Sequence, residues 1–337
     1  MTEQQLNTLL TTPSQRLIDD IAKIKGDILI LGAGGKMGPT LCLLAKNACK
    51  AAKIEKRIIA VSRFNDDLAV KLLKDNEIEV ISCDMMKPGA LDSLPDCENV
   101  IYMVGRKFGT NGQEYLTWAI NAWLPSLVAQ RYKSSNILAF STGCVYSFEQ
   151  IKTGGSLETD KLEPVGEYGM SCLARERMFE YGSKTYDTKV FLYRLSYAID
   201  LRYGVLFDLA NNIQNGEEIS VATPAFNCIW QGDANEIAIR GLLHCESPVN
   251  IANVTGPETV GVRYAAEMLG RYLGKEPIFK GEEQDSAYIF NSQKSVQLFG
   301  YPTHGINDII KMQADWILAG GRSLSAPTHF EERRGEF

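Results

Sequence analysis

Residues 28–31 are a short apolar run, Ile-Leu-Ile-Leu, that ends in the turn Gly32-Ala33-Gly34-Gly35-Lys36-Met37-Gly38. A helix-compatible stretch follows at 39–49. A strand, a glycine turn and a helix in that order constrain the chain more than any other feature. Glycine lets the turn close tightly and lets backbone approach a ligand. The N–H groups of the helix start then face negative charge, which is what a pyrophosphate needs. The first half of the chain is therefore expected to hold an adenine dinucleotide, with Gly32, Gly35, Lys36, Met37 and Gly38 at the cradle.

From residue 27 the sequence alternates. Apolar, β-rich runs lie at 27–31, 57–61, 78–82, 100–104, 136–141 and 190–195. Helix-like stretches separate most of them, at 39–49, 66–75, 112–132 and 167–181. Such alternation predicts an α/β fold: a Rossmann-type, doubly wound parallel sheet with helices on both faces. After 195 the rhythm changes. A short strand near 216–221, helices at 233–243, 262–273 and 306–318, and a strand at 249–254 that returns to the main sheet describe a smaller C-terminal lobe. The expected layout is an N-terminal helical extension (1–25) beside the first strand, a dinucleotide-binding domain (26–195), a small substrate lobe (196–324) and a loose polar tail or contact arm (325–337).

Net charge is −6, so nucleic acid has no electrostatic foothold. No apolar run is long enough to span a bilayer, and the first residues lack the layout of a signal peptide; a cytoplasmic protein without membrane contact is expected. The eight cysteines form no C-x-x-C pair and there are three histidines, which argues against a metal site or a disulfide framework.

Ligands of such sheets lie at the carboxyl ends of the strands. After the second strand, Ser62-Arg63 stands where an acid would bond the ribose of NAD. A hydroxyl and a guanidinium suit a 2′-phosphate, with Lys36 as a second cation, so NADP is the expected cofactor. NAD is the alternative, served by Asp66 or Asp67. After the third strand, Asp84 would accept from the adenine amino group or cap the next element, with Met85 beside it. Val104 closes the fourth strand on the same edge.

Two further stretches complete a pattern: Ser141-Thr142-Gly143-Cys144-Val145-Tyr146 after a strand, and Tyr168-Gly169-Met170-Ser171-Cys172 opening a helix. With the glycine turn, Asp84, the run Trp118-Ala119-Ile120-Asn121 and the late Leu298-Phe299-Gly300-Tyr301-Pro302, they resemble the extended short-chain dehydrogenase/reductase family, which includes NAD-dependent epimerases and dehydratases. The resemblance implies Thr142 and Tyr168 as catalytic residues. It places Asn121 and Tyr168 at the cofactor, and pairs the helices at 112–132 and 167–181 into a homodimer contact.

The chain departs from the family at one position. The family motif is Tyr, three residues, then Lys, and the lysine position holds Cys172. That lysine bonds the nicotinamide ribose and lowers the tyrosine pKa. A unit charge ~4 Å away at an effective dielectric near ~20 is worth ~4 kcal/mol, and a neutral thiol supplies none of it. Arg175, one turn along the helix, would add charge but cannot relay a proton. The substrate half departs too: the segment Phe226-Asn227-Cys228-Ile229-Trp230-Gln231-Gly232-Asp233 lacks the arginine that holds a nucleotide-sugar diphosphate, and Phe226, Trp230 and Tyr197 are expected to form an aromatic wall or lobe core. The expected function is an NAD(P)-dependent oxidoreductase or epimerase/dehydratase acting on a small hydroxylated substrate such as a sugar or sugar acid. The alternative is a non-catalytic NAD(P)-binding sensor.

Overall fold

A computed structural model describes residues 1–324 and 328–335. Seven strands build the main sheet: β1 Ile28–Leu31, β2 Ile58–Ser62, β3 Glu79–Ser82, β4 Asn99–Tyr102, β5 Asn136–Thr142, β6 Val190–Leu195 and β7 Asn250–Val254. They are all parallel, in the order β7-β6-β5-β4-β1-β2-β3. β1 and β4 are fully buried, as their apolar runs predict for strands covered on both faces. β3 is the edge strand, with its first and last residues exposed. Strand order reverses beside β1, between β2 and β4, and that switch point opens a crevice above the carboxyl ends.

The helix predicted at 112–132 is interrupted. It runs as Glu114–Trp118, a π-helical turn Ala119–Trp123, then Leu124–Arg131. Pro125 gives the reason: it has no N–H for the carbonyl of Asn121, and its ring crowds that carbonyl, so the turn widens. The helix predicted at 167–181 is longer, Gly166–Tyr186, and stops where Asp187 turns left-handed at φ 58°.

The small lobe packs helices Val205–Asn215, Val262–Leu273 and Ile306–Leu318 around Leu206, Leu209, Ala265, Leu269 and Ile310. Phe226 and Trp230 lie in this core, each 1% exposed, so they are packing residues and not a substrate wall.

Of the predictions about the ends, one is refined and one corrected. The N-terminal extension forms two helices, Glu3–Thr11 with a Thr2/Gln5 capping box, and Gln15–Ile21 capped by Ser14. They pack on the helices Gly38–Ala52 and Gln231–Arg240, and the second shares a core cluster with Ile28 and Ile30 of the first strand. Leu6 and Leu10 belong to the small-lobe core, whereas Leu17 and Ile21 belong to the sheet core. Of the predicted loose tail, residues 325–327 and 336–337 lie outside the described residues. Residues 328–335 pack across their own chain: Thr328 donates twice to Asp208, Phe330 meets Phe226, and Arg333 bonds Ser286 and covers the Phe148 ring at 4.2 Å.

Candidate active site

The glycine turn is built by steric necessity at two points. Gly32 sits at φ +94°, and a Cβ there would lie 2.9 Å from the backbone of Met103 and Val104. A Cβ on Gly38 would lie 2.2 Å from the Ala33 carbonyl, so this glycine lets the following helix close on the turn. Met37, 8% exposed, serves the same start: its carbonyl accepts from Leu41 N–H and Thr40 Oγ1. Gly38 and Met37 therefore support the cradle from beneath, while Gly32, Gly34 and Gly35 line it.

Above the turn lies a groove of about 570 Å³, within the ordinary range for small-molecule sites of ~300–1,000 Å³. Its walls include Ser62, Arg63, Asp84, Met85 and Val104, all anticipated from the strand ends. Phe64 and the loop 105–108 complete it and were not anticipated. The groove fits an extended dinucleotide: a glycine floor without Cβ atoms, a hydroxyl and a guanidinium at the β2 end, and an acid after β3. Asp84 also accepts from the Met86 N–H at 3.2 Å, so one of its oxygens shapes the turn. Asp66 also lines the groove, and its Oδ1 caps helix Asp67–Asp75 by accepting from Leu68 and Ala69.

Lys36 is not a second cation for Ser62 and Arg63. Its amino group lies 3.4 Å from the Tyr203 ring centroid and donates to the Ala198 carbonyl at 3.5 Å. The aromatic face and the carbonyl beyond β6 draw it to the opposite side of the turn.

Asn121 holds the groove by proxy. Its Oδ1 accepts from Arg106 N–H and Arg175 Nη2, both at 2.8 Å. Its Nδ2 donates to the Arg106 carbonyl at 2.8 Å and Ser171 Oγ at 3.0 Å. All four of its hydrogen-bonding positions are taken by protein, so it clamps the loop after β4 and does not reach a ligand directly. Arg175 is buried under that loop: Nη1 donates to the Phe140 carbonyl at 2.9 Å, and a Cβ on Gly105 would lie 2.9 Å from Nη2.

Thr142 and Tyr168 meet as expected. β5 ends at Thr142, whose Oγ1 accepts from the Cys144 N–H at 3.2 Å. The Tyr168 hydroxyl, from the first turn of Gly166–Tyr186, bonds the Thr142 and Cys172 side chains. They share a pocket of about 90 Å³ with Cys144, Ser196, Tyr197, Tyr288, Phe290 and Lys107. That is room for roughly three waters at ~30 Å³ each. Burial drives the Tyr168 phenol well above its ordinary value, so it is protonated at neutral pH and acts as a donor. Burial also pushes the Cys172 thiol up to about 11, keeping it neutral. Among the described residues, no cluster of side chains is arranged to hold a metal ion and no helix is long and apolar enough to cross a membrane.

Beneath the pocket lies an ion pair. Arg194 on β6 donates to both carboxylate oxygens of Glu176, at 2.9 and 2.7 Å, and each side chain is 2% exposed. Ser141 Oγ donates to Glu176 at 2.5 Å and Arg194 Nη1 to the Tyr146 hydroxyl at 2.6 Å, which tie the pair to the ends of β5 and its loop.

The sequence model of the NAD dependent epimerase/dehydratase family matches residues 28–245. No curated protein matches the chain. Among solved structures, MoeE5 in complex with UDP-glucose and NAD is 17% identical, with a TM-score of 0.71 over 88% of this chain and 99% of that one. UDP-glucuronic acid 4-epimerase from Bacillus cereus in complex with NAD is also 17% identical, with a TM-score of 0.71 over 86% and 96%. The Bordetella bronchiseptica enzyme WbmG in complex with NAD and UDP is 19% identical, with a TM-score of 0.70 over 89% and 99%. These likenesses establish a shared fold.

Proposed function

Because the chain belongs to the NAD dependent epimerase/dehydratase family, we propose that it is a nicotinamide-dependent oxidoreductase or epimerase/dehydratase acting at a carbinol or carbonyl of a small hydroxylated substrate, a sugar or sugar acid. The observation that carries this reading is the Tyr168 hydroxyl, bonded to Thr142 in a pocket that shares Lys107 with the glycine-lined groove.

Gly32, Gly34 and Gly35 would cradle the pyrophosphate, and Ser62 and Arg63 the adenosine ribose end. When bound, the dinucleotide supplies hydride exchange at its nicotinamide ring. Thr142 orients the substrate oxygen, and Tyr168, protonated at neutral pH, gives a proton to it in the reducing direction. A substrate without a nucleotide is favoured by the segment around Phe226 and Trp230, which is lobe core and offers no cation to a diphosphate. NADP is favoured over NAD because Ser62 and Arg63 bring a hydroxyl and a guanidinium to the groove, where Asp66 also lies but with Oδ1 taken by a helix cap. A homodimer is favoured by Tyr115, Trp118, Trp123, Met170 and Tyr181, large apolar side chains exposed on the two helices that would pair.

The test is a titration with NADPH and NADH, followed by a screen of sugars and sugar acids for a change in nicotinamide absorbance. Tighter NADPH binding, reversed by Ser62→Asp, supports the cofactor assignment; tighter NADH binding discards it. Substrate-dependent turnover abolished by Tyr168→Phe, with cofactor affinity kept, supports the enzyme. Binding with no turnover on any substrate favours the sensor.

A further inference from the structure

The loop leaving β4 passes between two hollows. Val104, Gly105 and Arg106 wall the groove, and Lys107 walls both the groove and the Thr142–Tyr168 pocket. Among the described residues lining that pocket, Lys107 is the one cationic side chain.

Its place is held from several directions. Asn121 clamps the preceding residue, Arg106, through both its N–H and its carbonyl. The Lys107 ammonium donates to the Thr328 carbonyl at 3.3 Å and lies 5.2 Å from the Phe108 ring centroid. The carboxylates of Asp208 and Glu331 act on it from the small lobe and the tail. Two other cations lie near: Lys36, which turns to the Tyr203 ring, and Arg175, whose charge acts on the Tyr168 phenol but which is permanently charged and tied to Asn121 and the Phe140 carbonyl. Cys172, four residues after Tyr168, is a buried neutral thiol.

Resting on the function proposed above, we propose that Lys107 is the working ammonium of this site: a positioning cation, delivered by the loop after β4 and not by the helix that carries Tyr168, which meets the nicotinamide end of a bound dinucleotide and biases the Tyr168 hydroxyl. An ammonium on a flexible stem suits the task, because its three donors rotate and its charge is compact. Burial also pulls Lys107 below the ordinary lysine range, so it releases a proton more readily than a surface lysine. A guanidinium such as Arg175 lacks that capacity.

The test is a four-protein cycle: the full chain, Lys107→Met, Cys172→Lys and the double variant. Affinity for whichever of NADPH and NADH the full chain binds more tightly is read by nicotinamide fluorescence, and folding by thermal melts. Losing a charge-assisted contact, Lys107→Met is expected to weaken binding of that dinucleotide about tenfold or more. Cys172→Lys alone is expected to bring no gain, because a second ammonium would repel the first. In the Lys107→Met background it is expected to recover most of the loss, giving a non-additive cycle. A lysine at 172 cannot replace the bond to Thr328, so rescue separates a charge role from simple anchoring of residues 328–335. Unchanged affinity for that dinucleotide in Lys107→Met, or the same effect of Cys172→Lys in both backgrounds, overturns the proposal. A full chain that binds neither NADH nor NADPH overturns the function itself and this inference with it. Should Lys107→Met lose its cooperative melt, Lys107→Gln, which keeps a donor for Thr328, takes its place in the cycle.

Discussion

Replacing Glu176 with leucine should reveal how much of the molecule's stability is committed beneath the active site. Arg194 and Glu176 are each 2% exposed and share two charged hydrogen bonds. With the carboxylate gone, the guanidinium keeps only the Tyr146 hydroxyl at 2.6 Å and the Glu158 carbonyl at 3.4 Å. A buried charge left without its partner costs about 3–5 kcal/mol. Against a total stability of about 5–15 kcal/mol, that is a third or more of the margin for an average protein. At about 2 °C per kcal/mol for a chain this large, the melting midpoint should fall by about 6–10 °C. Removing both charges with Glu176→Leu and Arg194→Leu should recover at least half of the loss, because the desolvation cost disappears with them. Urea and thermal denaturation followed by circular dichroism measure all three variants. A single-variant cost below about 1 kcal/mol, or a double variant as damaged as the sum of the singles, would refute the reasoning.

Gly38→Ala drives a methyl to within 2.2 Å of the Ala33 carbonyl, where no flexible side chain can yield. It should cost about 1–3 kcal/mol by chemical denaturation and weaken dinucleotide binding. With iodoacetamide under native conditions, Cys83 and Cys144 should be alkylated first, since the other six thiols are buried. NADPH should protect Cys83, which lines the groove, and mass mapping of the labelled peptides decides it. Burial raises the Asp208 carboxyl above its ordinary value despite two bonds from Thr328. A raised carboxyl favours folding most below the unfolded value of ~3.9, and loses that advantage as pH rises through its folded value. Asp208→Asn should therefore gain stability relative to the parent as pH climbs above ~4, and a flat difference across pH would count against it.

The sheet and the placement of the dinucleotide cradle were legible because both are written in the main chain. Alternating apolar runs set which segments are strands, and a parallel sheet sets which ends gather at the crevice. Ser62, Asp84 and Val104 needed nothing more than their position after a strand. Thr142 and Tyr168 needed the family resemblance, since no local rule brings a strand end at 142 to a helix start at 168. Spacing says little about where a long side chain turns. Lys36 sits in the predicted turn yet points at Tyr203, 167 residues later. Lys107 stood in plain view, five residues past the end of β4, but its reach into the second pocket depends on Asn121 and Thr328. Phe226 and Trp230 suited a ligand wall and a lobe core equally until the helices around them were in place.

The two N-terminal helices bear on how a substrate gets in. Helix Glu3–Thr11 roots in the small-lobe core through Leu6 and Leu10, and helix Gln15–Ile21 in the sheet core through Leu17 and Ile21. Only residues 12–14 join them, with Pro13 in the middle. A linker of three residues spans at most about 10 Å when fully extended. Swinging the lobes apart as rigid bodies would exhaust that slack quickly and then tear apolar side chains out of one core or the other. Ligand exchange is therefore expected to proceed by movement of small pieces at the mouth, such as the loop after β4 and residues 328–335, with the cleft held at nearly constant width. For such a molecule, entry is governed by local loop opening and not by a hinge between its halves.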